Sequence, residues 1–267
     1  MSHILAKVRE QSPLIHNITN QVVTNFTANG LYALGASPVM ANAPEEVEEM
    51  ASIANALVLN IGTLTKEQVH AMILAGKIAN KRNIPVVLDP VGVGATTFRT
   101  EKAKEILQQV QITVIRGNAS EIATLAGIDA EVKGVDTAGS YNMEELIRVA
   151  YQNLGVPIII TGQVDYITDG DYVTTVSNGH ELLTKVTGAG CLLSSVVAAF
   201  LAVEEDVVQA SSHALSYYGV VAQNASQHAT MPGDFQIELL NQLYAITSEE
   251  VDAQSIIATT KLERGSI

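Results

Sequence analysis

A glycine-rich turn at 187–191 carries the residue types that point most directly to chemistry. It leads straight into an apolar stretch that is typical of a buried helix. Glycines allow successive backbone amides to face one side, and the first turn of a helix adds partial positive charge. The amides of Gly188, Ala189 and Gly190 could therefore hold an anion, including charge that develops on a phosphoryl group during transfer. A plain tight turn between a strand and a helix is the alternative, because short glycine motifs also occur by chance.

Cys191, the only cysteine of the chain, is predicted to lie in the first turn of the same helix. The helix dipole and the nearby amides would lower the pKa of its thiol below about 8.5. Such a group could accept a proton from a substrate or attack it covalently. A buried, unreactive thiol is the commoner state of a single cysteine, so a structural role stays open.

Two carboxylates have the chemistry of magnesium ligands. Asp89 precedes Pro90 at the end of a predicted strand, and Glu121 follows three residues after Asn118. Mg²⁺ is bound by few protein oxygens when phosphates and waters fill its other positions. Asn118 and Glu121 also have the spacing of a helix N-cap and its N3 partner, and the two interpretations are compatible.

Asparagines cluster near the start of the chain, in the stretch 11–44, which has no charged residue. They are Asn17, Asn20, Asn25 and Asn29, with His16, Thr19, Thr24 and Thr27 among them. Amides without charges suit a small neutral substrate that forms hydrogen bonds, and Val22 and Met40 would supply apolar contacts. Each amide taken alone could equally occupy a solvated position of a helix or turn.

Alternating short apolar runs and helical patterns predict an α/β fold in one domain over 1–267. The predicted strands are 56–61, 84–88, 112–115 and 156–160, and the predicted helices are 65–81, 100–109, 142–154, 189–202 and 206–227. The runs are apolar on both sides of the pleat, as expected for a mostly parallel sheet with helices on both faces. A turn signal at 169–171, between 165–168 and 172–176, predicts an appended hairpin.

The residues that follow the predicted strands suit a phosphorylated ligand. In an open parallel sheet, ligands bind at the carboxyl ends of the strands. Those positions hold glycines, small hydroxyls, the Asp89 carboxylate and the Arg116 guanidinium, with Thr161 after the last strand. No Gly-Lys-Ser, Gly-Lys-Thr or G-x-G-x-x-G motif accompanies them, which disfavours a P-loop kinase and a dinucleotide enzyme.

Composition limits the partners and the compartment. Lys and Arg number 15 against 28 Asp and Glu, for a formal net charge of -13, so we expect no nucleic-acid partner. The single cysteine and a polar N-terminus predict a cytoplasmic protein without a secretion signal. The most apolar stretch, 186–203, is too interrupted to predict a membrane span. The charge-free stretch 11–44 predicts either deep core or a surface that a sister subunit covers.

With these residues in view, the chain closely resembles the hydroxyethylthiazole kinase family, thiamine-salvage enzymes of the ribokinase-like fold. The likeness runs nearly from end to end. It rests on five segments in order, 16–20 with Asn25 and Asn29, 89–96 with Arg99, 116–121, 161–162 and 187–191. Arg99 has no role that the sequence assigns, since it could reach a phosphate or cap a helix.

The resemblance implies transfer of the ATP γ-phosphate to the primary hydroxyl of 4-methyl-5-(2-hydroxyethyl)thiazole, with Mg²⁺. It implies ATP contacts at Arg116 and Thr161, and magnesium near Asp89 and Glu121. It implies thiazole contacts at Met40 and the Gly188 backbone, with Asn20 and Val22 nearby. It also implies a homotrimer with its pockets between subunits, and it puts Cys191 where related kinases usually carry a catalytic aspartate.

Three other functions stay open at this stage. Pyrimidine or pyridoxal kinases share the fold and the glycine turn, and so does a nucleotide-dependent dehydratase that repairs hydrated nicotinamide cofactors. Both usually carry aspartate at the position of Cys191, which disfavours them here. A nonenzymatic metabolite-binding protein would not need both Asp89 and Glu121 beside a triphosphate.

Overall fold

A nine-stranded sheet forms the frame of the protein in the computed structural model, which describes residues 2–128 and 142–262. The strands are β1 (Leu14–Ile18), β2 (Ser37–Val39), β3 (Ala56–Asn60), β4 (Val86–Asp89), β5 (Val114–Asn118), β6 (Ile158–Thr161), β7 (Asp165–Thr168), β8 (Tyr172–Val176) and β9 (Ile257–Lys261). Their order across the sheet is β2-β1-β3-β4-β5-β6-β7-β8-β9. The six strands from β2 to β6 run parallel, and the last three pairings are antiparallel.

Helices cover both faces of the sheet. They are α1 (Ser2–Gln11), α2 (Thr24–Leu34), α3 (Val47–Ile53), α4 (Lys66–Lys81), α5 (Thr97–Gln109), α6 (Ala119–Leu125), α7 (Met143–Leu154), a 3₁₀ helix at Glu181–Lys185, α8 (Ala189–Leu201), α9 (Val207–His228), α10 (Pro232–Ala245) and α11 (Ser248–Gln254). No helix within 2–128 or 142–262 has both the length and the apolar composition to cross a membrane.

Alternate side chains of the central strands belong to two hydrophobic cores. In β3, Val58 belongs to the core under α1, α2, α8, α9 and α10, whereas Leu57 and Leu59 belong to the core under α3 to α7. All five residues of β3 are buried. The predicted α/β fold is confirmed, and so is the mostly parallel sheet with helices on both faces. The sequence indicates this arrangement because strands that are covered on both sides are apolar throughout.

The predicted elements in the middle of the chain are confirmed, with shifts at their ends. The hairpin strands 165–168 and 172–176 match β7 and β8. Helices predicted to begin at Thr65 and Asn142 begin one residue later, because each of these side chains accepts a hydrogen bond from a backbone amide three residues on. These residues are N-caps, which lie just outside the helix.

Strands β1, β2 and β9 lie where the sequence predicted no strand. In β1 the apolar pattern is broken by His16 and Asn17, both of which are buried. His16 Nε2 lies 2.7 Å from the carbonyl of Ala41. Asn17 accepts a 2.7 Å hydrogen bond from Ser195. Polar residues can be buried when other elements supply their hydrogen-bond partners. A local sequence pattern does not show such partners.

Within the charge-free stretch 11–44, β1 lies inside the sheet between β2 and β3, and all of its residues except Leu14 are buried. Deep burial therefore explains the absence of charge in β1. Val22 and Tyr32, however, are 67% and 65% exposed in the single chain. This part of the stretch lies on the surface of the subunit and stays available for another subunit to cover.

A close contact with backbone atoms lies where α9 passes the loop after β8. A Cβ at Gly219 would lie 2.6 Å from the backbone carbonyl carbon and oxygen of Asn178. We predict that Gly219→Ala lowers the free energy of unfolding by about 1–3 kcal/mol, because a backbone contact cannot give way as a side-chain tip can. Urea denaturation measures this change. Gly233→Ala is the matched control in α10, since a Cβ there meets nothing within 4 Å, and equal stability of the two variants would contradict the prediction.

Candidate active site

The carboxyl ends of the parallel strands bring the candidate residues to one edge of the sheet. The register pairs Asn60 with Asp89 and Asn118 with Thr161. Asp89 and Thr161, predicted to follow their strands directly, are the last residues of β4 and β6, and Arg116 lies inside β5 rather than after it. The edge therefore carries carboxylate, amide, guanidinium and hydroxyl groups at one level.

The glycine turn has the geometry of an anion-binding site. Gly188 is the N-cap of α8, and its φ of +91° lies in the left-handed region that favours glycine. A Cβ at Gly188 would also lie 2.7 Å from the side chain of Val23. The Ala189 amide, which was expected to face the anion, instead donates a 3.3 Å hydrogen bond to the carbonyl of Val186. Among the described residues, none accepts a hydrogen bond from the amides of Gly190 or Cys191. Free amides at a helix N-terminus are suited to bind phosphate.

Arg116 lies beside this turn. Its Nη1 donates a 3.2 Å hydrogen bond to the carbonyl of Gly190, and its Nη2 donates a 2.7 Å bond to Oγ1 of Thr161. Its Nε is buried without a hydrogen-bond partner among the described residues. The guanidinium is thus held between β6 and the start of α8, with donor capacity left over.

A cavity of about 970 Å³ opens beside Arg116, Thr161 and Gly190. Its other walls come from the turn after β6, the loop after β8, the 3₁₀ helix and the middle of α9. Among its lining residues are Asp165, Asn178, His180, Leu215, Tyr218 and Gly219. The volume lies near the upper end of the range for small-molecule sites, so a large ligand with a phosphate end fits against Arg116 and the glycine turn.

Asp89 is fully buried at the centre of the edge. Its Oδ2 accepts 2.8 Å hydrogen bonds from Nδ2 of Asn60 and Oγ of Ser194, and it lies 3.9 Å from Nη1 of Arg116. Its Oδ1 has no partner in the described part of the chain. Burial raises the pKa of Asp89 to about 6, although the Arg116 charge acts in the opposite direction.

The Oδ1 atom of Asp89 has no hydrogen-bond partner in the described part of the chain, and this bears on whether a divalent cation fits at Asp89. A buried carboxylate oxygen without a donor costs free energy unless a cation or a hydrogen-bond donor reaches it. The described residues contain no cluster of three or more His, Cys, Asp and Glu that could hold a metal by themselves. One or two carboxylates completed by phosphate and water are the usual set for Mg²⁺, and the residues present fit that cation.

Glu121 has the capping role that its spacing allowed. Its Oε2 accepts a 2.9 Å hydrogen bond from the backbone amide of Asn118, which completes a capping box at the start of α6. Its Oε1 accepts a 2.8 Å bond from the amide of Gly92, in the loop after β4. The negative charge of Glu121 also raises the pKa of Asp89. The carboxylate is therefore held near Asp89 by two backbone amides.

The thiol of Cys191 lies in the first turn of α8, as predicted, but the expected lowering of its pKa is wrong. Burial raises the pKa of the thiol, and the negative charge of Asp89 raises it further. These two effects outweigh the hydrogen bonds of nearby amides, one of which comes from Nδ2 of Asn20 at 3.4 Å. Cys191 is therefore a neutral thiol at neutral pH.

The four residues with predicted substrate contacts differ in their surroundings. Asn20 is buried and lies against Cys191, and Gly188 begins α8. Met40 is half-buried directly after β2, at the same edge of the sheet. Val22 is exposed in the turn before α2, and the neighbouring Val23 is the side chain that lies against Gly188.

Arg99 binds loop carbonyls, neither capping a helix nor lying free for a phosphate. Its Nη1 donates to the carbonyls of Ile61 and Val91, at 3.1 and 2.8 Å, and its Nη2 donates to that of Gly62 at 2.7 Å. These bonds tie the loop after β3 to the loop after β4. Arg99 thereby fixes the shape of the edge that carries Asp89.

Three polar residues of the site escaped the sequence analysis. Asn60 and Ser194 bind the Asp89 carboxylate, and Asp165 lines the cavity. A polar residue at the end of an apolar run is the available signal for Asn60, but the same run also predicts a strand over 56–61 that includes it. Ser194 and Asp165 resemble ordinary helix and strand residues until the fold brings them to the edge.

The fold is that of the ribokinase-like class, and this edge has the groups of a phosphate-binding site. A ribokinase-like superfamily protein from Enterococcus faecalis matches over 93% of this chain and 95% of its own, with a TM-score of 0.64 and 11% identity. A pyridoxal kinase from Staphylococcus aureus, solved with ADP, matches over 94% and 99%, with a TM-score of 0.65 and 15% identity. At these identities the likeness concerns the fold.

The particular family follows from closer matches. The model of the hydroxyethylthiazole kinase family matches residues 5–249. A hydroxyethylthiazole kinase protein from Pyrococcus horikoshii OT3 is 42% identical and has a TM-score of 0.89, over 97% of this chain and 98% of its own. The chain belongs to the hydroxyethylthiazole kinase family and is a kinase, which implies the use of ATP.

Asp165 gives the site a testable dependence on pH. Burial raises its pKa from 3.8 to about 6, against the effects of the Gly162 amide, which donates to Oδ1 at 2.9 Å, and of the Arg116 charge. An acid whose pKa is higher in the folded chain binds more protons when folded, so stability falls as pH rises from about 4 to about 6. Asp165→Asn removes this penalty and can keep the acceptor for Gly162.

We therefore predict that Asp165→Asn raises the unfolding free energy by up to about 3 kcal/mol above pH 7, and that this gain disappears toward pH 4. Urea unfolding at several pH values measures the difference from the wild type. Asp171→Asn, at an exposed position of the same hairpin, controls for the change in net charge. A gain that does not depend on pH would contradict the assignment.

Proposed function

We propose that this kinase transfers the γ-phosphate of ATP, with Mg²⁺, to the primary hydroxyl of 4-methyl-5-(2-hydroxyethyl)thiazole. The product is the thiazole phosphate that a later condensation to thiamine phosphate consumes. The observation that carries the proposal is the glycine turn, whose Gly190 and Cys191 amides lack partners among the described residues beside Arg116. Family membership supplies the substrate.

ATP would lie in the 970 Å³ cavity, with its phosphates toward the glycine turn. Arg116 would neutralise charge on the phosphates through its fixed guanidinium, and Thr161 would contribute its hydroxyl at the same end. The overall negative charge of the chain makes such local neutralisation necessary. Positioned donors also stabilise the transition state, because they need not reorganise during the reaction.

Mg²⁺ would be held by the unpartnered Oδ1 of Asp89, with Glu121 close by. When bound, Mg²⁺ supplies positive charge that offsets the charge of the triphosphate and of the transferred group. Asn60 and Ser194 hold Oδ2 of Asp89, which leaves Oδ1 as the free oxygen. The capping box at the start of α6 holds Glu121 in place.

In the reaction, the alcohol oxygen forms a bond to the γ-phosphorus, the bond to the ADP oxygen breaks and the hydroxyl proton is released. Cys191 orients the alcohol rather than taking its proton, because burial keeps the thiol neutral. A loose transition state for phosphoryl transfer develops little charge on the attacking oxygen. Positioning and phosphate neutralisation then matter more than a strong base.

The thiazole would contact Asn20, Met40 and the Gly188 backbone, with Val22 completing the pocket from an interface between subunits. The exposure of Val22 in the single chain supports a neighbouring subunit at this place. We propose a homotrimer in the cytoplasm, without nucleic-acid or membrane partners. Sedimentation of the fully active protein as a monomer would contradict the shared site.

A direct assay tests the substrate. The protein is incubated with Mg-ATP and hydroxyethylthiazole, and ADP and the phosphate ester are measured by chromatography and mass spectrometry. We expect both products in equal amounts, and neither in excess EDTA. Pyridoxal and a hydroxymethylpyrimidine serve as competing alcohols. Faster phosphorylation of either one would overturn the assignment of thiazole as the substrate, whereas the assignment of the protein as a kinase would stand.

Two variants distinguish, in the same assay, the neutralisation of phosphate charge by Arg116 from the orientation of the alcohol by Cys191. Arg116→Ala should lower kcat by about 100- to 1,000-fold, comparable to the loss of one preorganised donor. Cys191→Ser should lower it by about tenfold or less, since a hydroxyl can still orient the alcohol. Arg116→Lys is the control that keeps the charge but loses the two-pronged geometry. An Arg116→Ala protein with unchanged turnover, or a Cys191→Ser protein without activity, would contradict these roles.

A further inference from the structure

Asn60 is a buried amide that joins three parts of the active site. It is the last residue of β3 and is 1% exposed. Its Oδ1 accepts 3.0 Å hydrogen bonds from Nδ2 of Asn20 and from the backbone amide of Gly62. Its Nδ2 donates a 2.8 Å bond to Oδ2 of Asp89. Both ends of the side chain are therefore engaged.

The backbone of Gly62 fixes which way the Asn60 amide faces. A backbone N–H can only donate, so the Asn60 atom that it reaches must be the oxygen. The nitrogen of Asn60 must then face the Asp89 carboxylate, which can only accept when ionised. Because the oxygen of Asn60 faces Asn20, Asn20 must in turn present its nitrogen.

Gly62 restrains Asn20 from a second side. A Cβ at Gly62 would lie 2.7 Å from Nδ2 of Asn20 and 2.9 Å from its Cγ, so the Asn20 amide packs directly on the glycine backbone. The carbonyl of Gly62 is itself held by Nη2 of Arg99 at 2.7 Å. The loop after β3 is thus a rigid support for the Asn20 side chain.

This support leaves one group of Asn20 available. Its Nδ2 donates to Asn60 and reaches Sγ of Cys191 at 3.4 Å. Among the described residues, none donates to its Oδ1. An alcohol that attacks phosphorus uses a lone pair of its oxygen, so its O–H must point to an acceptor elsewhere. The Asn20 amide, whose nitrogen contacts Cys191, offers such an acceptor in its oxygen.

We propose that Asn60 is a positioning residue for the acceptor alcohol, which acts by holding Asn20 so that Oδ1 receives the hydrogen bond of the substrate hydroxyl. The proposal rests on the proposed function of the same site and adds what selects the alcohol's orientation. The competing roles are support of Asp89 and a direct contact of the Asn60 amide with the Cys191 thiol. Ser194 makes the other hydrogen bond to Oδ2 of Asp89, but has no hydrogen bond to Asn20, so it offers a matched comparison.

A double-mutant cycle distinguishes the two roles. The variants are Asn60→Ser, Asn20→Ser, Ser194→Ala and the two double variants that contain Asn20→Ser. We expect Asn60→Ser to lower kcat/KM for the alcohol about tenfold or more, but to lower it less than about twofold in the Asn20→Ser background. The effect of Ser194→Ala should differ much less between the two backgrounds, because Ser194 and Asn20 share no partner and are linked only through Asp89 and Asn60.

Multiplicative losses for Asn60→Ser and Asn20→Ser would overturn the proposal, because Asn60 would then act through Asp89 or Cys191 and not through Asn20. A wild-type protein that forms no thiazole phosphate would instead overturn the proposed function, and this proposal with it. Thermal denaturation establishes that each variant is folded. If Asn60→Ser does not fold, Gly62→Ala decides the question, since its Cβ would displace Asn20 while leaving Asn60 in place. Unchanged kcat/KM for the alcohol in folded Gly62→Ala would then contradict the proposal.

Discussion

The complete burial of the Asp89 carboxylate is the constraint on which the site depends. A charge removed from water is tolerated only when hydrogen bonds and opposite charge compensate it. The compensating groups come from β3, β5 and α8, through Asn60, Arg116 and Ser194. These three elements must therefore meet at one point, and the glycine turn that begins α8 is carried to the same point. One oxygen of Asp89 is left without a protein partner, and this is what suits the site to a cation.

The same burial determines how the thiol of Cys191 behaves. A helix N-terminus favours a thiolate, and from that feature alone the pKa would fall. In the folded chain, loss of water and the neighbouring Asp89 charge raise it instead. A site that keeps its thiol neutral relies on positioned hydrogen bonds and phosphate neutralisation. This agrees with phosphoryl transfer, in which little charge develops on the attacking oxygen.

Backbone interactions hold most of the charged side chains of the site. Glu121 is fixed by the amides of Gly92 and Asn118, and Arg99 is fixed by three loop carbonyls. Arg116 bridges Gly190 and Thr161. Side chains tied to backbone lose little further freedom when a ligand binds, so the edge is preorganised for a polyanionic ligand.

The amino-acid sequence was sufficient for the fold class, the hairpin, the glycine turn and the strand-end residues Asp89 and Thr161. These depend on hydrophobic periodicity, turn chemistry and short motifs, which are local properties of the chain. Only the tertiary structure decided the strand β1, the roles of Asn60, Ser194 and Arg99, and the direction of the Cys191 pKa. Each of these depends on partners distant in sequence or on exclusion of water, and neither burial nor long-range contact is encoded in a local pattern.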